Sequence, residues 1–560
     1  MTIASGQPAT ASDVLGKFVS KTGDVMGGTL TLASDPVLPL QAATKRYVDS
    51  AQTPTSVIAT GGVTAATFAD RFSRCLNVID DFGAKGDGTT DDTAAIQAAF
   101  NRVGAIGGTV YFPAGTYLIS ASITAMPQVA LGTAPTGPAI HFSPIIVINV
   151  ESDAKATIKA TASMPSMLNF QFNSSLGDIG PFYSRVHGLT LDGNSMAGIG
   201  ILSNFTMHTD IQNNAIHGCT GPSLEIIGYG VSRIAHNVFM GPTCIQLGTT
   251  AAPGGGDTLI LKNDFYPDNG SGICQGILMG PWSGDAEIDA NGVTRVQPAG
   301  TGTCYGVRMA GDLSPDVSHE IRHTVIRGNE FFSTDAAVFG IAISGGRNVW
   351  QSKISGNHVY NSYGVIANLT NCDDFIISEN FLNGAQLPDC SGPAVTLNAC
   401  NRVRFSGNIA GNYTNSLAAL TDCVDCDIKD NIAQDMGKGG TGFTVVNILH
   451  SFTSCIRNTV SGNKFVQTNS GYAQSGVFEH AGVDQTIAQD NRMVGILTPY
   501  VKAGAASVMR QVLYTTAAPS TGPHIVGDVA YNTAPTAGGT FAWVCTVAGT
   551  PGTWAAVGAA

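Results

Sequence analysis

Charge is what this 560-residue sequence has least of: only 12% of it is Asp, Glu, Lys or Arg, against about 25% in an ordinary soluble domain. Solubility must come from neutral turns, and 68 glycines among many Asn, Ser and Thr residues supply them. That balance suits a β-solenoid better than a helical protein. Basic residues are the scarcer kind, 28 against 40 acids, for a net charge of −12. This argues against nucleic acid as a partner, because duplex binding rests on Lys and Arg neutralising phosphates. No apolar run approaches the ~18 residues of a membrane span, so no membrane insertion is expected. The opening MTIASGQPATAS has neither a basic region nor an apolar core. No Sec signal is read there, and folding in a cytoplasm is expected.

The most informative stretch runs from Asn77 to Ser120. A polar loop leads to a helix that Asp91 or Thr90 can N-cap, with Ile96, Phe100 and Val103 on one apolar stripe. Gly107-Gly108 stops the helix, and Val110, Tyr111 and Phe112 resume as strand. A solenoid needs its greasy terminal coil covered, and this helix is expected to be that cap.

From about residue 140 an Asn recurs after a short apolar alternation: Asn194, Asn214, Asn237, Asn263, Asn329, Asn357, Asn380, Asn408, Asn431, Asn463 and Asn491. Each is read as occupying a tight turn itself, where its short side chain tolerates unusual backbone angles. Cys372, Cys400, Cys423 and Cys455 lie 8 residues before their Asn, and Leu369, Leu397, Leu420 and Phe452 lie 11 before. Two ladders in phase indicate a stacked array. At ~4.8 Å per coil the marked coils make a rod of ~50 Å or more. The cysteines are expected to be reduced, small apolar groups stacked inside. Cys423-x-x-Cys426 lacks a second pair, and neither metal nor cofactor is expected. The interval from Asn263 to Asn329 is 66 residues, room for two coils and an excursion. It holds Tyr266, Trp282, Asp285, Glu287, Asp289, Asp312, Asp316, His319 and Glu320, and long loops on a rigid solenoid tend to carry function.

Asp80–Gly88, Thr90–Gln97 and Gly108–Tyr117 resemble the opening of the pectate-lyase-like superfamily of right-handed parallel β-helices. That resemblance implies an all-β, right-handed parallel β-helix solenoid capped by a short N-terminal helix. The superfamily includes polysaccharide lyases, glycosidases and phage tailspikes, so it implies fold more than activity. The run Gly23–Asp49 resembles a segment near the N-terminus of phage tail fibres and tailspikes, which implies virion attachment and a homotrimer. The end, with Gly527–Asn532 and Phe541–Thr546, is similar to a C-terminal module of phage tail proteins. The expected organisation is a virion-anchoring segment with a short helix at 1–60, linker and cap at 61–140, parallel β-helix at 141–505 and a small β-module at 506–560.

Cleaving a polysaccharide needs a proton donor and a base or nucleophile, commonly two carboxyl groups at set separation. Three arrangements offer them. Asp285, Glu287 and Asp289 alternate, so an extended chain puts all three on one side. Glu379 and Asp430 each precede a turn Asn, two coils and ~10 Å apart. Glu330 follows its Asn, and His358 holds the same place one coil on. Tyr266, Trp282, Trp350, Tyr360 and Tyr363 offer flat apolar faces to sugar rings. Each of these residues has a plainer reading, as solvated acid, core or subunit contact. The acid triplets of polygalacturonase-type members and the calcium-binding acids of pectate lyases are not recognisable.

The expected function is a tailspike, assembled in a host cytoplasm and carried on the virion. Residues 1–60 would join the phage tail or baseplate, and the rod would bind and depolymerise a bacterial surface polysaccharide by hydrolysis or β-elimination. The rivals are a non-catalytic receptor-binding fibre and a bacterial cell-surface β-helix enzyme. Reducing-end release separates catalysis from binding, and the tail-like N-terminus argues against the third.

Overall fold

The computed structural model describes residues 56–57, 66–67, 74–127, 146–153, 156–171, 182–204, 208–228, 231–249, 256–268, 272–280, 283–295, 304–310, 321–333, 340–345, 349–362, 365–384, 392–438, 442–452, 454–472, 475–522 and 524–558. The chain divides into two units, Met1–Ser73 and Arg74–Ala560. In the first, Ser56–Val57 pairs antiparallel with Ala66–Thr67. The tail-like run Gly23–Asp49 lies outside the described residues.

The second unit is built from coils of three strands. One coil runs through Val325–Arg327, turns at Gly328-Asn329, continues as Glu330–Ser333, and returns as Gly340–Gly345. The next coil starts at Lys353–Ser355, directly beside Val325–Arg327. Stacking in this way gives three parallel sheets of 16, 15 and 14 strands among the described residues. They are called sheets I, II and III here, in the order each coil visits them. Because side chains alternate along a strand, every second residue points into the rod. On sheet I the inward row reads Ile326, Ile354, Ile377, Phe405, Ile428 and Val460, paired coil to coil and all buried. Each such side chain contributes about 1.5–3 kcal/mol of burial. This is a parallel β-helix, the architecture the pectate-lyase-like resemblance implied, and its coils are the stacked array the repeat indicated.

The asparagines line the corner between sheets I and II. From Asn237 on, each Oδ1 accepts from the backbone N–H and Nδ2 of the Asn one coil earlier, for example Asn329 to Asn357 at 3.0 and 3.0 Å. Nδ2 of Asn329 also donates to the Ile288 carbonyl at 2.9 Å. All eleven ladder members, from Asn214 to Asn491, are buried, so they form a satisfied polar network inside the rod.

Three details of the sequence reading need correction. Asn194 is exposed and is not a rung; Leu189 fills that place and donates its N–H to Asn214. Asn291 is the rung hidden in the 66-residue interval, 28 residues from Asn263 and 38 from Asn329. The left-handed backbone belongs to the residue before each ladder Asn, including His236, Glu379, Asp430 and Gly407. The Asn itself supplies the hydrogen bonds.

The cysteines stack inside as free thiols: Cys372, Cys400, Cys423 and Cys455 are buried. Parallel bridges link the residues that follow them, Asp373, Asn401, Val424 and Ile456. The leucine ladder holds for Leu369, Leu397 and Leu420, but its next member is Ile448. Phe452 is 94% exposed, because that coil has a longer turn before Cys455.

The helix Thr93–Ile106 buries Ile96, Ala99, Phe100 and Val103 and sits against the first coils, with Phe100 edge-on to Phe170 at 6.4 Å. Asp92, not Asp91 or Thr90, is its cap residue. Asp92 turns away to accept from Lys85 N–H at 2.6 Å and Gly86 N–H at 3.0 Å, while Asp91 accepts from Thr93 N–H at 2.9 Å. At the far end, buried Glu479 accepts from Ala503 N–H, Gly504 N–H and Ser507 Oγ. Beyond it Val512–Thr515, Val529–Asn532, Thr540–Val547 and Thr553–Gly558 make a separate four-stranded sheet.

Candidate functional site

The outward rows of the sheets present the polar chemistry, so a residue's sheet and coil decide what it meets. On sheet I, Glu287 and Asp289 face outward on either side of buried Ile288. Arg327, from the next coil, contacts both: it bonds Glu287 directly and lies 3.2 Å from Asp289. Of the three acids expected to share one side, these two are therefore offset by a cation that arrives 38 residues after Asp289. Asp285 precedes this strand at the corner between sheets III and I, in left-handed backbone. It is exposed and bonds His323 Nδ1 at 3.0 Å, and His323 Nε2 meets Gln351 Oε1 at 2.9 Å.

The same corner carries a second charged run that sequence reasoning missed. Asp374, Arg402, Asp425 and Arg457 occupy equivalent left-handed positions on successive coils. Arg402 grips Asp374 through two bonds, 2.6 and 3.0 Å, and Arg457 grips Asp425 at 2.8 and 2.7 Å. These guanidinium bonds hold both carboxyls below the usual carboxylate range. With Ile376, Arg404 and Asp427 on sheet I, Asp374, Arg402 and Asp425 line an open cleft of 420 Å3. The spacing signal was present, 28 and 32 residues between acid and base, but it differs from coil to coil.

On sheet II, Glu330 and His358 are direct cross-strand neighbours, followed by Phe381, and Phe332 lies opposite Tyr360. His358 Nδ1 is 2.9 Å from the Tyr360 hydroxyl, and its ring lies 6.0 Å from Phe381. Glu330, His358, Phe332 and Phe381 are exposed and Tyr360 is half-buried. Carboxyl, imidazole, phenol and aromatic surface thus share one outer face. The exposed apolar row continues from Phe381 to Ile409 and Ile432. Glu379 sits at the corner beside Phe381. Asp430 repeats its position two coils on, with Gly407 between them, and both acids are exposed. Tyr266 is half-buried on the same sheet, beside Met240. Trp350 lies elsewhere, in the three-stranded strip between sheets III and I, flanked by Arg322 and Asp373. Trp282, Tyr363, Asp312, Asp316, His319 and Glu320 lie outside the described residues. Among the described residues no group of three or more His, Cys, Asp or Glu side chains could hold a metal ion.

A family model described as rhamnogalacturonase A/epimerase, pectate lyase-like, matches residues 75–222. Alginate lyase 7 of Azotobacter vinelandii is 33% identical over 150 residues, 26% of this chain and 16% of that protein. Mannuronan C5-epimerase AlgE3 of the same organism is 35% identical over 121 residues, 21% of this chain and 6% of that protein. The chain thus spans well under a fifth of the length of these curated relatives. Among solved structures, a mutant tailspike of E. coli bacteriophage HK620 superposes with a TM-score of 0.50 at 12% identity, over 79% of this chain and 82% of that one. The A-module of Azotobacter vinelandii mannuronan C-5 epimerase AlgE6 gives 0.39 at 15% identity, over 78% and 97%. The architecture is a parallel β-helix, a fold this chain shares with the HK620 tailspike.

Proposed function

We propose that this chain is a phage tailspike that binds and depolymerises a bacterial surface polysaccharide, acting as a homotrimer. The observation that carries the reading is the Glu330–His358–Tyr360–Phe381 group on the outer face of sheet II. Glu330 and His358 are suited to acid–base work on a glycosidic oxygen, and a His–Tyr pair is suited to abstracting the sugar proton that precedes β-elimination. The aromatic rings offer the flat surface a sugar ring stacks on. The names of the partial relatives, an alginate lyase and mannuronan epimerases, support polysaccharide as the substrate class. In this reading Glu379 and Asp430 flank the same face, and Ile409 and Ile432 are covered in the trimer. Residues 1–60 attach the spike to the tail.

The test is incubation of the full chain with purified capsular and O-antigen polysaccharides. Reducing ends without unsaturated products mean hydrolysis, and ultraviolet-absorbing unsaturated ends mean elimination. Loss of either activity in His358→Ala, with binding kept, supports the assignment. A second reading, a non-catalytic receptor-binding fibre, is favoured by the Arg partners that neutralise Glu287, Asp289, Asp374 and Asp425. Binding without any new ends would select it.

A further inference from the structure

Sheet III carries a group that none of the chemistry above uses. In the strand Pro222–Ile227, Leu224 and Ile226 point into the core, so Glu225 points outward. It is nevertheless only 8% exposed. It has no hydrogen-bond or ion-pair partner among the described residues. Burial without a partner pushes its carboxyl up from the ordinary glutamate range, which favours the protonated acid. Its neighbours across the sheet are Leu202 and Gln246. Beyond Gln246 the row continues to Leu278 and Arg308. Arg308, three strands away, is the nearest cation in that row, and it lies 5.1 Å over the Tyr305 ring.

Two more buried acceptors on the same outer face lack partners. Among the described residues, Asn204 Oδ1 and Asn169 Oδ1 meet no hydrogen-bond donor. Asn169 lies opposite Leu202, in the Glu225 row, and Asn204 lies opposite Ile227, two residues past Glu225. A buried polar atom left unpaired costs free energy, and native proteins hold few of them. Three on adjoining strands of one face, one of them a carboxyl, form a set of unmet acceptors that matches a ligand rich in O–H donors. With no cation closer than Arg308 in the row, nothing there favours an anionic one.

We propose that the outer face of sheet III around Glu225 is a binding site for a neutral, hydroxyl-rich glycan, whose hydroxyls donate to Asn169, Asn204 and Glu225. This rests on the polysaccharide reading and adds a substrate class and a place: a face distinct from the Glu330–His358 group. Gln keeps the length and shape of Glu225 and an Oε1 acceptor for the same hydroxyl, so Gln is its close mimic.

The test measures binding of the full chain to purified bacterial surface polysaccharides, half of them neutral and half bearing uronic acids. Glu225→Gln is expected to stay within about threefold of wild type on a neutral member, while Glu225→Ala and Asn204→Ala each weaken it about tenfold or more. Thermal melts of each variant check that the rod remains folded, and Glu225→Gln keeps the question answerable if Glu225→Ala does not fold. The inference is overturned if Glu225→Gln loses as much as Glu225→Ala, if Asn204→Ala binds like wild type, or if only uronate-bearing chains bind. Wild-type binding that ignores these variants defeats this inference alone. Failure to bind any polysaccharide defeats the broader reading with it.

Discussion

Asn408 Oδ1 accepts both the backbone N–H of Asn380, at 3.0 Å, and its Nδ2, at 2.9 Å, from one coil away. Replacing Asn408 with Ala strands two buried donors on Asn380. It also frees the Ile377 carbonyl and the Asn431 Oδ1 that Asn408 Nδ2 serves. At about 1–3 kcal/mol per orphaned buried group, partly offset by relaxation, the variant should lose on the order of 3 kcal/mol. Guanidinium-induced unfolding rates would read this, since a long solenoid is expected to unfold irreversibly. The exposed Asn194→Ala should change little.

Glu379 holds left-handed backbone at φ 59° in a place where neighbouring coils use Gly356 and Gly407. The left-handed region costs a side-chain-bearing residue about 1–2 kcal/mol. Glu379→Gly should therefore stabilise the rod by about 1 kcal/mol or slightly less, after glycine's own entropy cost. If activity falls while the melting temperature rises, Glu379 is serving the site at the expense of the fold. If both are unharmed, it is a corner residue only.

The Arg402 bonds hold the Asp374 carboxyl below its ordinary range. A carboxyl lowered on folding adds stability above its unfolded pKa and loses it as pH falls through the lowered one. Arg402→Met should thus cost stability at neutral pH and cost progressively less toward strong acid. The pair is well exposed, at 53% and 33%, so the neutral-pH loss should stay below about 1 kcal/mol. Melting temperatures from pH 7 down to pH 2 would show the two curves converging. Curves that stay parallel would mean that the pair does not couple to folding.

How much of this was legible in the sequence depended on whether the signal was periodic. The Asn ladder showed because one residue type must return to one corner, whatever the coil length. Asn291 escaped because the coil that follows it is 38 residues long. Asn194 intruded because its Gly193-Asn194 text imitates a rung. Phe452 was misplaced for the same reason of length: counting back from Asn463 assumes a fixed turn, and this coil lengthens it. The outward ion pairs, Arg327 with Glu287 and Asp289 or Arg402 with Asp374, join residues whose separation follows the intervening loop. The partner could not be picked from spacing alone. Glu225 was invisible, since an outward position in a strand gives no sign that it will be covered.

The most direct measurement is end-group analysis of purified capsular and O-antigen polysaccharides treated with the wild-type chain and with Glu330→Gln and His358→Ala. New reducing or unsaturated ends from wild type, reduced by about a hundredfold or more in each variant while binding persists, is the predicted result. Cleavage that survives both substitutions, or binding to a susceptible polysaccharide without any new ends, would contradict it.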